Sequence, residues 1–156
     1  MSAILVVDGE PQLRLLYAEF LRGAGYRVRS ARNGREALAL AEPESPQMIV
    51  LSVDLPDISG IDVLGELRSR NFAGTVLLLA GLRDEPLLRR IRELGDAEVA
   101  RKPCGLRDLA RAVSAALARN EEARRYPKES RVVMERHALS GNVSAWADDL
   151  IHGRVR

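Results

Sequence analysis

Cysteine occurs once, histidine twice, and aromatic side chains make up only 4% of the 156 residues. A lone Cys104 cannot close an internal disulfide, which excludes a disulfide scaffold and makes the reducing cytosol the default setting. Both histidines, His137 and His152, stand singly on short polar segments. No apolar stretch approaches the roughly 20 residues that a membrane span needs. The opening MSAILVVDGEP is too short and too soon acidic for a signal peptide. Charge of one sign is lacking too, since 24 Lys and Arg face 22 Asp and Glu for a formal net charge of +2. That near balance gives nucleic-acid binding no support. Together these absences predict a soluble, cytosolic chain.

What is present fits one α/β domain with a modest extension: 46% hydrophobic and 29% charged residues, enough to bury a real core. Short β-rich runs at Ala3–Val7, Tyr26–Ser30, Met48–Val53, Thr75–Ala80 and Glu98–Arg101 alternate with stretches at helical spacing. These predict helices from Pro11 (Leu13, Leu16, Phe20) to the Gly23-Ala24-Gly25 stop, and over Gly34–Ala41, Ile61–Arg70, Glu85–Leu94 and Leu106–Asn120. Such alternation predicts a doubly wound parallel sheet of five strands. The first, third and fourth runs are almost unbroken apolar, as central strands covered on both faces should be. After Asn120 the rhythm breaks at NEEARRYPKES, so the expected division is a domain of residues 1–120 and an extension of 121–156. The extension carries two short helical candidates, and Trp146 with Leu150 forms its best anchor for the domain or a partner.

In a sheet ordered 2-1-3-4-5, ligands meet the crevice at the carboxyl ends of the strands, between strands one and three. Asp8, Gly9 and Glu10 follow strand one there, and Ser52 to Asp54 follow strand three. Ala80 ends strand four, and Lys102 follows strand five.

The motifs ILVVDGEPQLR, ARNGREAL, VLSVDLPDISGIDVLGELR and RKP, at these intervals, resemble the response-regulator receiver domain over residues 3 to about 120. The resemblance implies a flavodoxin-like fold. It also implies phosphoryl transfer from a histidine kinase to an aspartate, assisted by magnesium on an acidic pair, a hydroxyl residue and a lysine before proline. Carried over residue by residue, it puts Ser52, four positions before Pro56, where the acceptor aspartate stands in the family; Asp54 is two positions late. Gly9 replaces the second acid of the pair, Ala80 the hydroxyl residue, and Val99 the strand-five aromatic of the switch. Asp8 and Lys102 alone remain, and a cis Lys102–Pro103 bond is implied.

The expected consequence is a pocket in which Lys102 offsets Asp8 and no metal is needed. Ser52 lacks a neighbouring general base and reads as a neutral hydrogen-bonding replacement. Asp54 reads either as a surrogate ligand or acceptor, or as a loop-capping aspartate; Glu10 reads as a surrogate acid or as decoration of the first helix's N-terminus. Cys104 reads as a small hydrophobe. An interaction surface is expected on the fourth helix, fifth strand and fifth helix: Arg89, Arg90, Glu98, Arg101, Arg107 and Arg111.

The chain is thus expected to be a pseudo-receiver that works by protein–protein contact, without a cofactor or metal and without enzymatic activity. Its partner would be a histidine kinase, another regulator or an output protein, or a second copy through that surface. The rivals are a phosphoreceiver using Asp54, a nucleic-acid-associated regulator using Arg124, Arg125, Lys128 and Arg131, and, last, a small α/β enzyme.

Overall fold

A computed structural model of the chain describes residues 2–81, 85–94, 97–102 and 104–125. Five strands, β1 (Ala3–Val7), β2 (Arg27–Ala31), β3 (Met48–Ser52), β4 (Thr75–Ala80) and β5 (Ala97–Arg101), form one parallel sheet ordered β2-β1-β3-β4-β5. Helices α1 (Pro11–Gly23), α2 (Gly34–Ala41), α3 (Gly60–Ser69), α4 (Glu85–Leu94) and α5 (Leu106–Arg125) alternate with them. This is the flavodoxin-like doubly wound fold.

Side chains alternate across each central strand, so every strand feeds two cores. Leu5, Val7, Ile49, Leu51, Val76 and Leu78 pack with residues of α2, α3 and α4, among them Ala37, Leu64 and Ile91. Ile4, Val6, Met48, Val50, Leu77 and Leu79 pack on the other face against Tyr17 and Leu21 of α1 and Leu109 and Val113 of α5. All of β3 is buried, which explains its unbroken apolar run.

Several element ends differ from the sequence expectation: β2 is Arg27–Ala31 rather than Tyr26–Ser30, β3 ends at Ser52 rather than Val53, α3 is Gly60–Ser69 rather than Ile61–Arg70, β5 starts at Ala97 rather than Glu98, and α5 runs past Asn120. The Tyr26 N–H donates to Leu21 O at 3.1 Å, so Tyr26 closes the turn after α1 and β2 begins one residue later. β3 stops at Ser52 because, although the Val53 N–H still donates to Leu79 O of β4 at 3.0 Å, the Val53 carbonyl turns to accept from the Gly60 N–H at 2.9 Å. α5 runs on to Arg125, since Glu121, Glu122, Ala123 and Arg124 are good helix formers. Leu13 and Phe20 of α1 pack on the core, partly buried, beside the fully buried Tyr17, Ala18 and Leu21, whereas Leu16 is 47% exposed. Tyr17 carries the helical repeat inward from Leu13 at i+4.

The chain divides into a unit of Met1–Leu117 and one of Ala118–Arg156, so the division that composition puts at residue 120 falls inside α5. Trp146, Leu150, His137, His152, Lys128 and Arg131 lie outside the described residues, as does Pro103 with its expected cis bond. Among the described residues no helix is long and apolar enough to cross a membrane.

Candidate functional site

The crevice opens where β1 and β3, adjacent in the sheet, release their chains at the carboxyl end. Asp8 follows β1 with its N–H still donating to Ala31 O of β2 at 3.1 Å, and its residue is 2% exposed. Ser52 is the last residue of β3 and fully buried. From the opposite side, Lys102 leaves β5 with its N–H on Ala80 O at 2.9 Å. Its ammonium then donates to Asp8 Oδ2 and to Ser52 Oγ, both at 2.9 Å. One cation therefore ties the ends of β1, β3 and β5, at the place where the register alone would leave a buried carboxylate.

Around this knot lies an open cleft of ≈ 530 Å³ lined by Asp8, Gly9, Glu10, Leu13, Asp54, Leu55, Pro56 and Lys102. Ser52 does not line it; its hydroxyl donates to Asp54 O at 3.4 Å and accepts from Lys102. Asp54 sits exposed on the rim. Glu10 is the N-cap residue of α1, exposed, with no side-chain capping bond, while its N–H donates to Asp8 Oδ1 at 3.0 Å. Arg14 adds Nη1 to the Asp8 carbonyl at 2.9 Å.

A hard divalent cation wants several carboxylate or other oxygen donors facing one point. Here both Asp8 oxygens are already engaged, by the Glu10 N–H and by Lys102. Position 9 offers no side chain, and a Cβ there would stand 2.9 Å from Pro56 Cδ. Among the described residues no three His, Cys, Asp or Glu side chains are grouped to hold a metal. This donor set does not fit magnesium.

A family model described as the response regulator receiver domain matches residues 4–114. The chain belongs to the receiver family. The transcriptional regulatory protein PdtaR of Mycobacterium tuberculosis is 33% identical to it over 85% of this chain and 65% of its own length. PhoP of Bacillus subtilis, an alkaline phosphatase synthesis transcriptional regulatory protein, is 35% identical over 93% of this chain and 60% of its own. This receiver chain thus spans under two thirds of the length of these relatives. A CheY-like receiver structure from Methanospirillum hungatei superposes with a TM-score of 0.74 at 24% identity, covering 78% of this chain and 98% of that one, which supports the fold.

The receiver keeps Ala80 buried at the end of β4, and Val99 on β5 is 40% exposed. On the adjoining helices Arg89, Arg90, Arg107 and Arg111 are exposed, with Arg90 3.8 Å from Asp62 of α3; Glu98 and Arg101 lie in β5. Burial pushes the Cys104 thiol up from its ordinary value, with Asp108 adding to the shift, so the thiolate is scarce.

Sequence reading overlooked Asp57. Its carboxylate accepts from the Gly34 N–H at 2.8 Å and the Arg35 N–H at 3.0 Å, 23 and 22 positions away. Desolvation opposes its ionisation, but the N–H groups of Gly34, Arg35 and Ile58 outweigh that and hold its pKa at about 2. No local motif announces a cap supplied from so far along the chain.

Proposed function

We propose that the chain is a pseudo-receiver: a member of two-component signalling that takes part through protein–protein contact, independent of phosphorylation, without metal or cofactor. The observation that carries this is the ammonium of Lys102, shared at 2.9 Å by Asp8 Oδ2 and by Ser52 Oγ, the hydroxyl that the family resemblance puts at the acceptor position. Phosphoryl transfer is almost wholly positioning and charge neutralisation around a nucleophile. A buried Ser52 hydroxyl bonded to an ammonium has neither a general base beside it nor a path to a phosphodonor. With Ala80 and Val99 at the relay positions, no hydroxyl or aromatic couples this pocket to the β5 face.

The contact surface proposed is the α4–β5–α5 face, which carries exposed cationic Arg89, Arg90, Arg107 and Arg111 on its helices and the apolar Val99 on its strand. It suits a partner with acidic and apolar groups: a histidine kinase, another regulator, an output protein or a second copy. Incubation with acetyl phosphate is expected to leave no acid-labile phosphate on the protein. Phosphate that appears and is lost in Asp54→Asn would instead establish the rival phosphoreceiver, which the exposed position of Asp54 on the cleft rim favours.

The two curated relatives are named as transcriptional regulators, which keeps one nucleic-acid reading in view through Arg124, Arg125, Lys128 and Arg131. That reading requires DNA or RNA binding that weakens steeply with salt. The proposal expects no such binding at physiological salt.

A further inference from the structure

The segment between β3 and α3, residues 53–59, is held at every point along it. The Val53 N–H donates to Leu79 O at 3.0 Å, and its carbonyl accepts from Gly60 N–H at 2.9 Å, which closes the base of the loop. Ser59 Oγ accepts from Ile61 N–H at 3.2 Å as the cap of α3. Pro56 lies on Gly9, where a Cβ would come within 2.9 Å of its ring. Ile58 lies on Gly34 so closely that a side chain at position 34 would collide with it, and position 60 is equally closed by Ser52 O. Between Pro56 and Ile58 stands Asp57, whose two oxygens take the first two amides of α2.

Those amides matter because a helix begins with four N–H groups lacking intrahelical partners. In α2 Asn33 Oδ1 takes Glu36 N–H at 2.8 Å, and Asn33 O takes Ala37 N–H at 3.1 Å. Gly34 and Arg35 would be left without acceptors but for Asp57. Helix start and loop are therefore each other's complement: α2 needs two acceptors, and the loop needs an anchor. The loop thus anchored lines the cleft with Asp54, Leu55 and Pro56, beside Asp8 and Lys102, while Ser52 is fully buried, does not line it, and donates its hydroxyl to the loop's Asp54 O at 3.4 Å.

We propose that Asp57 is a latch: seated on the N-terminus of α2, it keeps the β3–α3 loop closed over Ser52 and so holds the pocket in a single state. The latch rests on reading Ser52 as a sealed, unreactive position and supplies the reason it stays sealed. Asp57 acts as a positioning residue, through the loop, and touches none of Asp8, Ser52 or Lys102.

The test places a thiol at the sealed position, Ser52→Cys in a Cys104→Ser background of the full chain, and follows its alkylation by iodoacetamide. With Asp57 intact the thiol is expected to react slowly. Adding Asp57→Ala should speed alkylation about tenfold, the scale on which losing a helix-capping acceptor shifts a local opening equilibrium. Asp57→Asn, which keeps one acceptor oxygen, should fall between the two and serves if the alanine variant melts without cooperativity. Hydrogen exchange in the Ser52 parent supplies a second readout: Asp57→Ala should loosen the Gly34 and Arg35 amides and those of residues 53–60, leaving β1 and β4 as they were. Equal alkylation rates with and without Asp57 overturn the latch. So does exchange that rises equally in loop and core, which is general destabilisation. Neither result involves phosphate, so failure of the latch leaves the acetyl phosphate test of the pseudo-receiver standing by itself.

Discussion

Lys102 illustrates how one side chain can serve two strand ends, its ammonium donating to Asp8 Oδ2 and to Ser52 Oγ. Asp8 is 3% exposed at its side chain, and a buried carboxylate without a counter-charge is costly. Lys102→Met strands that carboxylate, and a loss of about 2–3 kcal/mol in unfolding free energy is expected from urea titration. Ser52→Ala removes one hydrogen bond, leaves the Lys102–Asp8 pair intact, and should cost about 1 kcal/mol. The reverse order would mean that Lys102 is not the structural tie. The Lys102–Asp8 contact was legible in the sequence because two residues at strand ends of known order have little choice of neighbour. The contact with Ser52 follows from the same geometry once Pro56 sets the register. Asp57 was illegible, since its partners are backbone amides, which every residue carries and which no pattern marks. Its folded pKa, about 2, lies below the ordinary 3.8, so its stabilisation is present above the ordinary value and is lost as pH falls through about 2. The melting temperature of Asp57→Asn should therefore lie below that of the parent above pH about 4 and approach it as pH falls toward about 2, as thermal melts across that range would record.

At the level of elements, the glycines separate two kinds of position that look alike in sequence. Gly60 opens α3 against the Ser52 carbonyl, and a Cβ would strike backbone there, whereas a Cβ at Gly23 in the last turn of α1 meets nothing within 4 Å. Gly23→Ala should stabilise the protein by about 0.5–1 kcal/mol by reducing the freedom of the unfolded chain. Gly60→Ala should destabilise it by about 2 kcal/mol or more, because rigid backbone has to move. Paired denaturation curves check both signs. Strand and helix identities were readable throughout from alternation and periodicity. Their ends were less so: Tyr26 has strand propensity yet serves the α1 turn, and the charges after Asn120 suit a helix as well as a linker. In α1 Tyr17 adds a buried aromatic ring to the face that Leu13 and Phe20 mark. Burial lifts its phenol above the ordinary value, with Cys104, Asp8 and Glu10 adding to the shift.

For the molecule as a whole, the fold retains the receiver's sheet and crevice, and both carboxylate oxygens of Asp8 in that crevice are engaged by the Glu10 N–H and by Lys102. On the proposed reading, the chain conveys its signal through the partners that meet its surface. If the α4–β5–α5 face is that surface, Arg89→Glu with Arg90→Glu should weaken association with an acidic partner or a second copy about tenfold, read by sedimentation or calorimetry, with melting unchanged. The central claim, a receiver whose pocket no longer takes a phosphoryl group, is met most directly by adding beryllofluoride with millimolar Mg²⁺ and following the amide resonances of Asp8, Gly9, Ser52 and Lys102. No saturable shift is expected at any of them. Saturable shifts at these amides that require both Mg²⁺ and beryllofluoride would contradict it.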